Sequence, residues 1–156
     1  LNAQPMKSAW SGGGVVFGTS DPLDDMPWNT LDAPIVSEKL RAVIEMQSGA
    51  RVEFLSLRTF RADWADDDLF GATTRVPMRN RRAIGEKYYL LNALRMFDVP
   101  VKDDGFPAAA DLDRAVPEDC EVFRVADMSP LLICRHSLRE RCDQVGIVGV
   151  LFEPIL

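Results

Sequence analysis

The sequence predicts a single α+β domain, in which at least two helices pack on a mixed or antiparallel sheet. Its 156 residues fit one domain. Hydrophobic residues make up 47% of the chain and charged residues 27%, which is enough apolar material for a packed core. Short apolar runs alternate with segments of helical periodicity, and this alternation predicts strands and helices that share one core.

A strand–helix–strand pattern occurs twice, over residues 33–57 and again over residues 131–156. A glycine, Gly49 or Gly146, ends each predicted helix. At a constant offset of 98 positions, apolar and arginine positions of the first unit match those of the second. The matched residues are Ile35, Leu40, Arg41, Val52, Phe54 and Leu57 in the first unit, and Ile133, Leu138, Arg139, Val150, Phe152 and Ile155 in the second. We therefore expect an internal duplication.

The first helix has a clear start. Ser37 is a favourable N-cap, and Glu38 follows it near the positive end of the helix. Leu40, Val43 and Ile44 form an apolar stripe that should face the core. The strand that follows, from Arg51 to Leu57, carries apolar residues on both faces, which is typical of an interior strand.

Later elements are predicted from their patterns. We expect a central strand from Tyr88 to about Leu94, although the same apolar residues also fit a helix. Residues 100–117 are predicted to be a loop, and residues 121–125 a strand with one wet face. In the second helix Leu138, Cys142 and Val145 should point inward.

The N-terminal segment, residues 1–30, is rich in glycine, proline, aspartate and serine and is predicted to be mostly loop. One short strand, Val15–Phe17, is expected there. Trp10 and Trp28 should attach this segment to the body of the protein through their large rings.

No catalytic constellation is evident. His136 is the single histidine and has no acidic or cysteine partner in a recognisable spacing, so we expect a surface or capping role. The three cysteines lack metal-ligand spacing and are predicted to be free thiols in the core. The glycine run at residues 12–14 lacks the lysine of a phosphate loop. We therefore expect no catalytic residue, no metal and no cofactor.

The net charge of −6 argues against nucleic acid as a partner, because a phosphate backbone favours a basic surface. No run approaches the ~20 apolar residues of a membrane span, and residues 1–17 contain no continuous apolar core of a signal peptide. We expect a cytoplasmic protein.

An acidic run lies between the predicted core strands and is our candidate binding surface. Carboxylates would attract a basic partner, and the indole within the run would anchor it. A solvated loop whose charge balances the basic residues 75–87 is the alternative. The run comprises Asp63, Trp64, Asp66, Asp67 and Asp68.

Several segments together carry a family resemblance. They are Pro34–Leu40, Val52–Phe54, Tyr88–Asn92 with Asp98 behind it, and Gly146–Phe152. The chain resembles the immunity-protein family numbered eleven among bacterial polymorphic-toxin systems, formerly a domain of unknown function. The residues that match its structural motifs are Ser37, Leu40, Phe54, Tyr88, Tyr89, Asn92, Asp98, Gly146 and Phe152.

The resemblance implies a non-enzymatic antidote that binds and blocks a toxin encoded nearby, without catalytic residues. For Asn92 and Asp98, buried hydrogen bonding and toxin contact both account for the match. Two other classes stay open: a small enzyme with a carboxylate and arginine site, and an interaction module of a larger protein. A deep pocket with convergent acidic, basic and tyrosine groups would favour the enzyme.

Overall fold

The computed structural model describes residues 4–18, 22–27, 33–48, 51–62, 81–128 and 131–155. Within them, three α-helices and two sheets with both parallel and antiparallel pairs form an α+β fold, which confirms the predicted class. The elements in chain order are β1 (Gly13–Gly18), β2 (Ile35–Ser37), α1 (Glu38–Ser48), β3 (Val52–Ala62), β4 (Arg81–Ala83), β5 (Tyr88–Ala93), β6 (Met96–Phe97), α2 (Ala109–Ala115), β7 (Val122–Val125), β8 (Ile133–Cys134) and α3 (His136–Val145).

The larger sheet has the order β1-β3-β5-β2, and β4 also pairs with β3. β1 runs parallel to β3, whereas the pairs of β3 with β5 and of β5 with β2 are antiparallel. Leu90 of β5 lies opposite Leu55 on one side and Ile35 on the other. The predictions of an interior strand after the first helix and of a central strand from Tyr88 are therefore confirmed.

α1 begins as predicted. The Ser37 hydroxyl accepts a hydrogen bond from the Leu40 amide at 3.1 Å, which satisfies one of the free donors of the first turn. Leu40, Val43 and Ile44 are buried together with Tyr89 of β5, so the apolar stripe faces the sheet.

α3 packs against α1 and buries Leu138 and Cys142. Gly146 adopts the left-handed conformation, with φ of 68°, and ends the helix as predicted. The Ile147 amide then donates to the Cys142 carbonyl at 3.0 Å, in the pattern of a Schellman turn. This turn brings Ile147 onto the core, and Val145 is 40% exposed, so the prediction that Val145 points inward is wrong.

The smaller sheet has the order β6-β7-β8, with β6 parallel and β8 antiparallel to β7. All four residues of β7 are buried, including Arg124, so the prediction of one wet face is wrong. β7 lies between two clusters of apolar side chains: Val122 belongs to the cluster under α1 and α3, and Phe123 to the cluster beside α2. The sequence pattern of β7 does not show that both of its faces are covered by other elements.

Two further predictions are corrected. The segment 100–117 is not only loop, because α2 occupies Ala109–Ala115 and buries Leu112. Residues 150–155 form no strand, so the second unit is a strand and a helix followed by an irregular segment. The structure does not confirm the internal duplication, although Leu40 and Leu138 are both buried at matched positions.

The N-terminal segment lies on the larger sheet. The predicted short strand is part of β1, and the Trp10 indole donates to the Ser56 carbonyl at 3.0 Å. Trp28 and Gly49, the predicted end of the first helix, lie outside the described residues. The helices that are described are too short or too polar to span a bilayer.

Candidate functional site

A groove of about 550 Å³ opens between α2, β8, the start of α3 and the C-terminal segment. Its size lies within the ~300–1,000 Å³ range typical of binding pockets. The lining residues are Phe106, Ala109, Leu112, Asp113, Phe123, Met128, Leu131, Leu132, Ile133, Cys134, Arg135, His136, Arg139, Leu151, Phe152, Glu153, Pro154 and Ile155.

Large apolar side chains at this groove remain in contact with water. Leu151 is 83% exposed, Leu131 50% and Phe106 39%. All three line the same groove. Apolar surface that is concentrated in one place and rimmed by polar groups is typical of an interaction site, because each exposed side chain gains free energy when a partner removes it from water.

Arg135 has a structural role at the groove. Its guanidinium donates to the carbonyls of Val116 and Pro117 at 2.8 and 3.0 Å and lies 3.8 Å from the Asp113 carboxylate. These contacts join β8 to the end of α2. The charge of Arg135 is therefore already committed to neighbours within the chain.

His136 and Arg139 are available to a ligand. Their side chains are 74% and 48% exposed. Each faces an acidic residue one turn along α3: His136 lies 3.4 Å from Glu140, and Arg139 lies 3.9 Å from Asp143. Such exposed pairs contribute little to stability, so a partner can replace them at small cost.

The C-terminal wall of the groove is positioned from a distance by Asp25. The Asp25 carboxylate accepts hydrogen bonds from the Val148 amide at 3.0 Å and from the Ser37 hydroxyl at 2.5 Å. The Asp25 amide in turn donates to the Val148 carbonyl at 3.0 Å. The two hydrogen bonds between Asp25 and Val148 hold the loop that leads into residues 150–155. We refer to these two bonds as the Asp25 clasp.

Cys134 is the thiol at the groove. Burial, followed by the neighbouring Cys142 and Glu121, raises the pKa of this thiol to about 11. A neutral thiol is a poor nucleophile and a poor metal ligand. Among the described residues, no group of three or more histidine, cysteine, aspartate or glutamate side chains is placed to hold a metal ion.

The groove was not predicted from the sequence, which pointed to the acidic run instead. Asp63, Trp64, Asp66, Asp67 and Asp68 lie outside the described residues. His136 is on the surface, as expected. The sequence contained part of the information that locates the groove. Arg139 and Phe152 are among the positions matched between the two units, and both line the groove.

The residues that carry the family resemblance are mainly structural. Asn92 is fully buried and donates to the Gln4 carbonyl at 2.9 Å and to the Glu53 carboxylate at 3.1 Å. The Tyr88 hydroxyl donates to the Asp24 carbonyl at 2.9 Å. Asp98 is exposed, so a buried role is wrong for this residue.

A comparison with models of known protein families finds no match for this chain, and no curated protein matches it.

Proposed function

We propose that this chain is an immunity protein: a non-enzymatic cytoplasmic protein that binds a cognate bacterial toxin domain, encoded nearby, and neutralises it. The observation that carries the proposal is the open groove with exposed apolar side chains. The family resemblance of the sequence supports the same class.

The groove suits a protein partner. Binding energy at protein interfaces is concentrated in a few apolar or aromatic anchors that are buried at the centre of the contact. Leu131 and Leu151 offer two such side chains at the groove, and the cavity can take an anchor from the partner. The charged Arg139 and the exposed imidazole of His136 would orient that partner.

The net charge of −6 favours a basic toxin, because opposite charges accelerate the encounter of two proteins. The acidic run from Asp63 to Asp68 is proposed to contribute to this attraction. Replacement of Asp66, Asp67 and Asp68 by lysine should slow association, and the effect should shrink as salt is added. Association rates that do not change would exclude this run from the interface.

Co-expression rescue tests the function. The C-terminal domain encoded by the adjacent upstream gene is expressed in a naive bacterium with and without this chain, and the complex is then isolated. Rescue of growth with a stoichiometric complex is the expected result. A toxic domain that is neither bound nor neutralised would contradict the proposal.

A matched pair of variants tests the groove. Leu151→Asp places a charge in the apolar rim and should weaken toxin binding by about tenfold or more. Met46→Asp is the control, because Met46 is similarly exposed, at 75%, but lies on α1 outside the groove. Equal toxin binding by both variants would show that the interface lies outside the groove.

A further inference from the structure

The first strand–helix–strand unit contains an inserted strand. β5 lies between β2 and β3 and is antiparallel to both. Backbone groups on one side of β2 face β5: the Leu91 amide donates to the Pro34 carbonyl at 2.8 Å. The opposite side of β2 faces elsewhere, since the Ser37 amide donates to the Asp25 carbonyl at 2.8 Å.

In the second unit no strand among the described residues pairs with the corresponding side of β8. Ile133 pairs with Phe123, and the Arg135 amide donates to the Glu121 carbonyl, so these residues face β7. Along an antiparallel strand, the backbone N–H and C=O groups of successive residues point to opposite sides. The backbone groups of Leu132 and Cys134 therefore point away from β7. At the offset of 98 they match Pro34 and Val36, whose backbone groups face β5. Val36 lies in β2, and Pro34 comes immediately before it.

That edge of β8 borders the groove. Leu132 and Cys134 both line it, and in the described part of the chain no other backbone group hydrogen-bonds to theirs. Residues 151–155 line the groove as well and likewise form no backbone hydrogen bond with any described residue. An unpaired edge of this kind is a template for a strand from another molecule.

An aromatic contact made in the first unit also has no counterpart at the groove. In the first unit the guanidinium carbon of Arg41 lies 4.6 Å from the ring centre of Tyr89 and 5.6 Å from that of Phe54. The matched residues Arg139 and Phe152 both line the groove. Tyr89 belongs to β5. Phe106 and Phe123 also line the groove, but among the described residues no aromatic ring stacks on Arg139 as Tyr89 does on Arg41.

We propose that the groove binds an extended segment of the partner protein as an added strand along β8, in the position that β5 takes in the first unit. The segment carries alternating apolar side chains and one aromatic ring, which stacks on Arg139 beside Phe152. The identity of the partner as the toxin rests on the proposed function. The strand mode and the aromatic anchor rest on the groove and on its comparison with the first unit, and they do not depend on the partner's identity.

The chemistry of the site favours this occupant. Strand addition combines backbone hydrogen bonds, which provide affinity, with pockets for alternate side chains, which provide specificity. The groove offers both beside β8. A second copy of this chain fits less well: its own β5 is paired on both sides, and Phe17 of its edge strand β1 is buried against Tyr88.

The test uses a peptide with the sequence of residues 86–95, which spans β5 and contains Tyr89, the ring that lies against Arg41 in the first unit. A fluorescent form of this peptide is titrated with the full chain, and anisotropy is measured. Saturable binding is expected. Two altered peptides should bind at least tenfold more weakly. One has serine at the position of Tyr89 and lacks the aromatic ring; the other is N-methylated at alternate amides and lacks the backbone hydrogen bonds to β8.

Arg139→Ala and Arg141→Ala form the matched pair of protein variants. Both remove one arginine from α3, but only Arg139 lines the groove. Arg139→Ala should weaken peptide binding by about tenfold, which corresponds to a partly desolvated cation–π contact. Arg141→Ala should bind the peptide like the wild type.

The outcomes separate the two proposals. An absence of saturable binding, or equal binding by the two arginine variants, overturns strand addition even if the toxin is neutralised. Peptide binding that depends on Arg139 supports strand addition even if the upstream domain is not neutralised, and in that case only the partner's identity fails. A dimer of this chain that the peptide dissociates would assign the groove to a second copy and overturn the proposal.

Discussion

Gly149→Ala should destabilise the protein and distort the groove. Gly149 comes directly after Val148, the residue bound by the Asp25 clasp, and before the residues that form the C-terminal wall of the groove. Its φ is 75°, in the left-handed region that favours glycine. A Cβ at this position would lie 2.3 Å from the Asp24 Cβ and 2.6 Å from the Asp24 Cγ. Carbon atoms in ordinary contact are about 3.5–4.0 Å apart, so Asp24 or the loop has to move.

Two terms set the magnitude. The left-handed conformation costs an alanine about 1 kcal/mol relative to glycine. Displacement of Asp24 also disturbs its neighbour Asp25, whose amide and carboxylate bond to Val148 at 3.0 Å each. Loss of these two hydrogen bonds costs about 1 kcal/mol each. We therefore expect the free energy of unfolding to fall by about 3 kcal/mol.

Urea denaturation measures this change, and Gly105→Ala is the matched control. Gly105 also has a positive φ, 86°, but a Cβ there meets nothing within 4 Å. The control should lose about 1 kcal/mol, from the backbone conformation alone. If Gly149→Ala loses no more than Gly105→Ala, the loop relaxes without cost and the clasp does not hold the C-terminal wall.

Three further predictions follow from buried groups. Asn92→Ala should lower the free energy of unfolding by about 3 kcal/mol, since it removes two hydrogen bonds and leaves a cavity; a loss below about 1 kcal/mol in urea denaturation would contradict this. Burial, followed by the charge of Asp25, raises the pKa of Tyr88 to about 12 from the usual 10.0, so its stabilising contribution is complete below pH 10 and is lost as the pH rises towards 12. Tyr88→Phe should make stability less dependent on pH in this interval, and an unchanged alkaline slope would refute the assignment. Burial raises the pKa of Cys120, Cys134 and Cys142, so iodoacetamide at neutral pH should alkylate them slowly in the native protein and rapidly in urea; fast native alkylation would contradict their burial.

Elements with strong local signals were predicted well. α1 has an N-cap serine and a periodic apolar stripe, and both act within a few residues of one another. β5 is apolar on both faces and opens with two tyrosines, which indicates a strand covered on two sides. These features depend on neighbours along the chain, so the order of residues is sufficient to read them.

Elements that depend on distant contacts were predicted poorly. β7 contains the charged residue Arg124, yet Arg124 is buried, and apolar clusters lie on both faces of the strand. Residues 150–155 resemble the strand of the first unit but lack a partner for their backbone groups among the described residues, and a single extended segment is not stable as a strand. The sequence pattern contains no information about which faces other elements will cover.

The sequence by itself determined the fold class, the first strand–helix unit and the acidic character of the protein, because periodicity, caps and charge are local or additive properties. Only the tertiary structure decided where the candidate site lies. The groove is assembled from three segments that are far apart along the chain, around Phe106, Leu131 and Leu151, and its C-terminal wall is held by Asp25 near the other end. Their proximity follows from packing, and packing depends on the whole fold.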